Sequence, residues 1–338
     1  MPLLRDWCCC KMFLGETISI TVAVLWTACA MFAEVASKRM GSLPFNMVRM
    51  IVSLIMLGGV MWWFTGATYP VGADADTWMW LALSGFVGYV LGDYCLFNAY
   101  ILIGSRYGQL LMTLAPPSAA IFGFLLLGQE MPIIAVLGMC ITITGIGIAI
   151  GPTPTLPKRR GSNEERANNE KGSWHDSSRG ILFGIGAAVG QGIGLVLSAK
   201  GLLHYEESAE ALGLTFRHGA TAMMILPFAS TAIRAIAGLV GFSAWTYLKG
   251  EMPLVRRAFC DRRAMAFALG AVITGPFLGV SLSLMATLYT AAGIAQTIMA
   301  TTPVLILLPT YFFFHQRLTW REVIGAIISV GGVALFFV

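Results

Sequence analysis

The chain has 338 residues, a formal net charge of +5, 12% charged side chains and 57% apolar ones. Soluble domains carry about 25% charged residues, and a water-soluble fold of this length could not bury so much apolar surface. The composition therefore excludes a soluble enzyme, a nucleic-acid-binding protein and a secreted disulfide scaffold. We expect an all-α integral membrane protein, because the apolar runs are continuous and lack the alternation of lipid-facing strands.

Ten transmembrane helices are predicted, since each crossing takes about 20 apolar residues. The uncharged stretch 264–314 has to hold two of them, because 51 helical residues would cross a bilayer about twice. The first apolar run is long and is followed by Lys38 and Arg39, which predicts a retained anchor and not a cleaved signal peptide. In chain order the predicted spans are 13–35, 46–65, 78–103, 107–127, 131–151, 180–201, 211–233, 264–289, 292–314 and 319–338.

One hydrophilic segment divides the chain. Residues 152–178 are rich in Pro, Ser, Asn and charged residues, a composition typical of a disordered linker. Five predicted spans precede it, in residues 13–151, and five follow, in residues 179–338. This arrangement indicates an internal duplication.

The sequence supports that duplication. A shift of 187 positions aligns the third to fifth predicted spans with the eighth to tenth without a gap, and it pairs Gln, Pro and Gly residues. A unit with an odd number of crossings has its copy upside down in the membrane, and inverted repeats around a midplane site are typical of secondary transporters. The matched pairs include Gln109/Gln296, Met112/Met299, Pro116/Pro303, Gln129/Gln316, Gly138/Gly325 and Gly145/Gly332.

The fourth and fifth spans of each unit share a proline and spaced glycines: Pro116, Leu127-Gly128-Gln129-Glu130, Gly138 and Gly145, then Pro303, Gly325 and Gly332. This pattern resembles the EamA-type drug/metabolite transporters. The second unit departs at His315-Gln316-Arg317, where the family often has Gly-x-Glu. The resemblance covers nearly the whole chain and implies ten transmembrane helices as two inverted five-helix repeats, without indicating the cargo.

Ionisable groups inside a bilayer are costly, so each one is a candidate functional residue. Asp93 lies well inside the third predicted span, and Tyr89 precedes it by four residues on the same helical face. Its counterpart in the second unit is Val280, so the carboxylate is not a feature of the repeat. Asp93 is predicted to bind a cargo amine or to couple transport to a proton. The alternative is a buried acid that pairs with a neighbouring Arg and locks the bundle.

Charged residues also occur in the first, second and seventh predicted spans. Trp26 and Glu34 lie on one helical stripe, and Glu34 precedes Lys38 by four residues, the order that favours an ion pair. We expect Trp26 and Glu34 to line a cargo pathway, with an interfacial ion pair as the alternative for Glu34. Arg49 and Arg217 occupy matching positions that would suit an anionic cargo, but we expect both to extend towards lipid headgroups.

Amides and prolines complete the predicted pathway. Side-chain amides in membrane spans bind cargo or bridge helices. Prolines kink spans and leave backbone carbonyls free, and broken helices in matching places of two repeats are the usual sign of a transporter site. The predicted pathway residues are Trp26, Glu34, Tyr89, Asp93, Asn98, Gln109, Gln191 and Gln296, and the predicted kinks are at Pro116, Pro117 and Pro303.

Rows of small residues predict close helix packing. We expect contacts between spans of one chain, with a homodimer face as the alternative. Neither a phosphate-binding loop nor metal-ligand spacing is present in the sequence, so no cofactor or metal is expected. The rows are Gly138, Thr142 and Gly145, their counterparts Gly325, Ser329 and Gly332, and Gly186, Gly190 and Gly194.

The distribution of positive charge predicts the orientation. Loops after odd-numbered spans hold 17 Lys and Arg residues, with Arg234 counted in the 234–263 loop, and the opposite loops hold three. The positive-inside rule places the long basic loops in the cytoplasm and both termini outside the plasma membrane. The family resemblance implies termini on the cytoplasmic side, and we favour the charge count.

These observations predict a secondary transporter, an exporter of small amino-acid-like metabolites that works by alternating access, with Asp93 as the candidate for proton coupling. Its partners would be a small-molecule cargo and the lipid bilayer, without nucleic acid. A lipid-carrier flippase and a non-transporting membrane subunit are the alternatives. A membrane-embedded enzyme is disfavoured, because catalytic groups are not clustered. The histidines, for example, are scattered at His175, His204, His218 and His315.

Overall fold

The structure, a computed structural model, describes residues 14–127, 133–150, 163–217, 221–289, 295, 298–314 and 319–335. These residues form helices and no strand. Within the described residues, six helices are long and apolar enough to cross a membrane, which makes the chain an all-helical, multi-pass membrane protein. The arrangement of ten helices in two inverted halves stays a prediction. The six helices are Leu14–Met40, Ser42–Thr65, Ala75–Leu125, Ser178–Ala211, Met224–Leu248 and Arg262–Ala286.

The first half of the chain is a nearly continuous series of helices. A π-helical stretch, Phe86–Asp93, lies between the third and fourth of them, and a 3-10 turn, Met112–Leu114, precedes the fifth. The helices are α1 (Leu14–Met40), α2 (Ser42–Thr65), α3 (Ala75–Gly85), α4 (Tyr94–Leu111), α5 (Ala115–Leu127) and α6 (Ile133–Ile150).

The second half contains longer helices and a second π-helical stretch, Ile273–Val280, which joins its fourth and fifth helices. The helices are α7 (Asn163–Ala211), α8 (Ala222–Leu248), α9 (Met252–Cys260), α10 (Arg262–Val272), α11 (Ser281–Tyr289), α12 (Thr302–Leu305), α13 (Leu307–Phe314) and α14 (Trp320–Ala334).

The long helical run Ala75–Leu125 is broken inside α4. Gly104 has φ 83° and ψ 163°, a conformation that glycine adopts without the steric cost of a Cβ atom. The break falls between the third and fourth predicted spans, 78–103 and 107–127. It is stabilised by Glu34, whose carboxylate accepts a hydrogen bond from the backbone amide of Ser105 at 2.8 Å.

The seventh predicted span, 211–233, is displaced along the chain. Helix α8 runs from Ala222 to Leu248, so Arg234 lies within a helix and not in the basic loop. The prediction was wrong because it ended the span at a charged residue, whereas Arg234 is buried at 6% exposure. Arg217 precedes α8 and is exposed. Without Arg234 the charge bias between the two sets of loops keeps its direction.

The hydrophilic segment 152–178 is helical in its second part. Helix α7 begins at Asn163 and continues into the membrane-spanning stretch, although disorder was expected there. Helix propagation from an existing helix is much easier than nucleation, which explains how a polar segment extends an apolar one. Residues 151–162 lie outside the described residues.

Helices α6 and α14 approach each other through the predicted rows of small residues. A Cβ atom added to Gly145 would lie 2.5 Å from the Ser329 backbone nitrogen, and one added to Gly332 would lie 2.5 Å from that of Thr142. The Thr142 hydroxyl donates to the Ser329 carbonyl, and the Ser329 hydroxyl to the Thr142 carbonyl, each at 3.3 Å. Packing between spans of one chain is thereby confirmed for these rows. A homodimer stays a prediction.

Replacing Gly145 with valine should lower the thermal unfolding midpoint in detergent, because the new side chain forces α6 and α14 apart. Overpacking of this kind typically costs about 1–3 kcal/mol. Gly147 lies on the same helix with nothing within 4 Å of an added Cβ atom, so Gly147→Val is the matched control and should unfold near the wild-type temperature. Equal shifts in the two variants would contradict the packing role of Gly145.

Candidate functional site

A cavity of about 210 Å³ lies between helices of the first and second halves. This volume equals that of about seven waters at ~30 Å³ each, and it is below the ~300–1,000 Å³ of sites for drug-sized ligands. It fits a small metabolite. The predicted residues that line it are Trp26, Tyr89, Asp93, Gln109, Gln191, Pro116 and Pro303.

The cavity wall contains a buried ion pair between Arg49 and Asp93. Arg49 Nη2 donates to Asp93 Oδ2, and the two side chains are 6% and 5% exposed. The other carboxylate oxygen, Oδ1, accepts a hydrogen bond from Gln191 Nε2 at 2.8 Å. The same amide group also donates to the Gly88 carbonyl at 3.1 Å. Both oxygens of Asp93 are therefore engaged, one by each half of the chain.

Glycines allow Gln191 to reach the ion pair. A Cβ atom added to Gly190 would lie 2.9 Å from the Cα of Gly92, and one added to Gly194 would lie 3.0 Å from the Cα of Gly88. Small residues at helix contacts let backbones approach closely. The packing role predicted for the glycine row of the sixth span is confirmed at these two positions. This close packing places the Gln191 amide at the cavity.

Asp93 ends a π-helical stretch that recurs in the second half. The stretches Phe86–Asp93 and Ile273–Val280 are separated by 187 positions, the shift that aligns the predicted repeats. Turns of this kind are frequent at functional sites. Residues of the cavity wall recur at the same shift, among them Tyr89/Pro276, Asp93/Val280, Phe97/Leu284, Met112/Met299 and Pro116/Pro303.

Two arginines of the wall stack on one tyrosine. The Cζ atom of Arg234 lies 4.7 Å from the centre of the Tyr89 ring, and that of Arg49 lies 5.7 Å from the same point. Arg49 also lies 4.8 Å from the centre of the Phe97 ring. Arg49 was expected to extend towards headgroups, but it is buried, because Asp93 and the ring faces stabilise its charge inside the bundle. Arg234 was not among the site residues predicted from the sequence.

A weaker repeat signal points to Arg234. A shift of 183 positions aligns Leu43-Pro44-Phe45 with Leu226-Pro227-Phe228. In this register Arg234 lies two residues beyond the counterpart of Arg49. The pairing of Arg49 with Arg217 selected an exposed residue before α8, because it rested on a single charged match and not on a tripeptide shared by the two halves.

Glu34 and Asn98 are not among the residues that line the cavity. The Glu34 carboxylate is 1% exposed, and it binds Lys38 in addition to the Ser105 amide at the helix break. The Asn98 amide donates to the Tyr94 carbonyl one turn earlier, at 2.7 Å. The Glu34 side chain thus stabilises the break in α4, and the Asn98 side chain bonds its own helix. Gln296 lies outside the described residues.

The predicted prolines lie near the starts of helical segments, and kinks at these positions stay a prediction. Pro116 and Pro117 lie in the first turn of α5, directly after the 3-10 turn, and Pro303 lies in the first turn of α12. At the start of α12, proline is tolerated because the first turn of a separate helix has no intrahelical acceptor for its missing amide hydrogen. Pro116 and Pro303 line the cavity, whereas Pro117 does not.

Comparison with known families decides what the chain is. Residues 13–151 and 178–338 each match the EamA-like transporter family. The chain belongs to the EamA-like transporter family. Membership identifies it as a drug/metabolite transporter and agrees with the apolar helices of a multi-pass membrane protein.

A solved structure supports the fold of this EamA-like transporter. The crystal structure of another protein, 16% identical in sequence, matches over 95% of each chain with a TM-score of 0.55. The two proteins therefore share a fold, and at this identity the likeness shows nothing more. A comparison with curated proteins found no match.

The arrangement in the transporter suits reversible binding of a small charged molecule. Among the described residues, the charged side chains of the cavity wall are Arg49, Asp93 and Arg234, and amides and aromatic rings surround them. In the part of the chain that the structure describes, no group of three or more His, Cys, Asp or Glu side chains could hold a metal ion.

Two ion pairs away from the cavity also join the halves. Arg106 Nη2 donates to Glu322 Oε1 at 2.9 Å, and Arg39 Nε donates to Asp261 Oδ2 at 3.2 Å. Asp261 precedes α10 and caps it. The hydrogen bond from the Ala264 amide, helped by the Arg39 guanidinium, lowers the pKa of the Asp261 carboxyl below its ordinary value. Asp261 therefore stays ionised in its cap at neutral pH.

Removing one partner of the buried pair should destabilise the transporter. Arg49→Met leaves the Asp93 charge without its cation, and breaking a buried pair costs about 3–5 kcal/mol. Combining Arg49→Met with Asp93→Leu removes both charges and should restore part of the lost thermal midpoint in detergent. Arg39→Met is the control, since its side chain is 45% exposed and its ion pair is screened by water. A midpoint for Arg49→Met no lower than for the control would contradict this account.

Proposed function

We propose that this EamA-like transporter exports small amino-acid-like metabolites as a secondary transporter. The observation that carries the proposal is the cavity of about 210 Å³, with the Arg49–Asp93 ion pair in its wall and walls supplied by both halves. Ionisable side chains inside a membrane protein are expensive, and they typically mark a cargo or ion pathway. A purely structural bundle of apolar helices does not need them.

Alternating access would come from rocking of two units, residues 13–151 and 179–338, around the cavity. The π-helical stretches and the cavity residues that recur at a shift of 187 support two related units. In inverted repeats, the two units can exchange their conformations. When they do, a site that was open to one side of the membrane opens to the other side.

Asp93 is proposed to couple export to the entry of a proton. Each carboxylate oxygen has two lone pairs, so Asp93 can accept a further hydrogen bond beside those from Arg49 and Gln191. An ammonium group of the cargo and a proton would compete for this carboxylate, because protonation removes the negative charge that holds the ammonium. Competition for one site makes the inward movement of a proton drive the outward movement of the cargo.

The protein is proposed to lie in the plasma membrane with its long basic loops in the cytoplasm, as the excess of Lys and Arg in those loops indicates. A lipid-carrier flippase and a non-transporting subunit receive less support. The cavity is smaller than typical sites for drug-sized ligands, and a subunit with only a scaffolding role has no use for a charged cavity.

Replacing Asp93 with asparagine should abolish export that responds to an uncoupler, because the amide keeps the shape of the carboxylate but does not take up a proton. Extracellular metabolites would be compared by mass spectrometry between cells expressing the wild type and Asp93→Asn at matched membrane abundance, with and without uncoupler. The wild type should raise at least one amino-acid-like compound several-fold, and both the uncoupler and the substitution should remove that increase.

Glu322→Gln is the matched control, since it also neutralises a buried acid paired with an arginine, but away from the main cavity. Glutamine retains the ability to form the capping box that Glu322 makes with Thr319. This variant should export as the wild type does. Undiminished, uncoupler-sensitive export by Asp93→Asn would refute the coupling role, and no export by the wild type would refute the transport direction.

A further inference from the structure

Arg234 is a buried cation that forms no ion pair with the described residues. Its side chain is 6% exposed and lines the cavity. None of the ion pairs formed within the described part of the chain includes it. Its Nε atom is enclosed and has no hydrogen-bond partner there. Guanidinium groups stay protonated in proteins, so this charge is permanent.

Arg234 is held in place by tight packing. A Cβ atom added to Gly85 would lie 2.4 Å from the Arg234 carbonyl oxygen, and one added to Gly88 would lie 3.3 Å from Nη2 of its guanidinium. The Tyr89 ring covers the guanidinium at 4.7 Å. A side chain confined by glycine backbone and an aromatic face presents its donors in a fixed direction, which is the condition for selective binding.

Asp93 is ion-paired with Arg49 and not with Arg234. Its two carboxylate oxygens accept hydrogen bonds from Arg49 and Gln191, so its negative charge is already balanced by the Arg49 guanidinium. Among the described residues, the charged groups of the wall are two arginines and one aspartate, so this part of the wall has one excess positive charge. In addition, the Tyr89 hydroxyl is buried without a hydrogen-bond partner among the described residues. In the described part of the wall, positive charge thus exceeds negative charge, and the Arg234 Nε atom and the Tyr89 hydroxyl form no hydrogen bond.

We propose that the cargo carries a carboxylate group and that Arg234 is the residue that binds it. This inference rests on the proposed function and names the class of compound that the cavity accepts. A carboxylate matches the planar fork of the guanidinium with two parallel hydrogen bonds and neutralises the single excess charge. A phosphate would bring more negative charge than the wall can balance, and a cargo that is only a cation would face two arginines.

The other residues of the wall indicate what the rest of the cargo, apart from its carboxylate, is made of. Trp26, Phe97, Tyr100 and Met112 supply aromatic and thioether surface to the same cavity. These side chains bind apolar groups by burial and stacking. The cargo is therefore a small carboxylic acid with an apolar or aromatic body, and an amino group on it would be directed to Asp93.

The test compares benzoate with benzamide, which have nearly the same shape and differ in charge. Purified full-length protein in detergent is titrated with each compound at constant ionic strength, and the thermal unfolding midpoint is recorded. Benzoate should stabilise the wild type, and benzamide should not. Arg234→Gln should weaken the apparent affinity for benzoate at least tenfold. Arg256→Gln removes an exposed arginine outside the cavity and should bind benzoate as the wild type does.

Equal effects of benzoate and benzamide on the wild type, or undiminished benzoate binding in Arg234→Gln, would overturn the proposal. If Arg234→Gln does not fold, Arg234→Lys provides the second variant. Lysine keeps the charge and loses the fork, so benzoate should still bind, but more weakly than to the wild type. The titration needs no transport. If benzoate does not bind as expected, only the assignment of a carboxylate cargo is refuted. If the cells export nothing, the proposed function is refuted, but the benzoate binding result still holds.

Discussion

Arg49 and Asp93 form a buried ion pair in the wall of the cavity, and removing either one would leave the other charge buried without its partner. The pair imposes conditions on its surroundings. The second carboxylate oxygen needs a donor, which Gln191 supplies from the other half of the chain. That donor reaches the carboxylate only because glycines bring the two helical segments into backbone contact, as Gly92 and Gly190 do. The close approach of Gly92 and Gly190 and the placement of Gln191 thus both serve one buried interaction.

The two halves contribute unequally to the chemistry of the cavity. Their scaffolds correspond, because the π-helical stretches recur at a shift of 187 and so do many residues of the wall. The counterparts of Tyr89 and Asp93 are Pro276 and Val280, which carry no polar side-chain atoms. The two related π-helical stretches therefore present a polar surface on one side of the cavity and an apolar surface on the other. A bound molecule with one polar end has a single preferred orientation between them. Such a cavity suits a cargo whose charged group and apolar body lie at opposite ends.

Much of the cavity wall could be predicted from the sequence, because membrane spans make polar residues conspicuous. Asp93, Tyr89 and Gln191 were identified in this way, and all three line the cavity. Glu34 and Asn98 were identified by the same reasoning and lie elsewhere, since a helical periodicity shows which residues share a face but not which neighbour that face meets. Whether such a polar side chain satisfies its own helix or a distant partner depends on contacts that the sequence does not contain.

The sequence by itself determined the membrane location, the helical class and the family, because these follow from hydrophobicity, helix length and spaced glycines, all of which are local properties of the chain. Only the tertiary structure decided the position of Arg234. A charged residue at the apparent end of an apolar run is predicted to lie in a loop. Arg234 is buried instead, because the Tyr89 ring and the cavity lie beside it. Charge pairing and cavity shape are properties of packed helices, and they appear when residues separated by well over a hundred positions, such as Tyr89 and Arg234, come into contact.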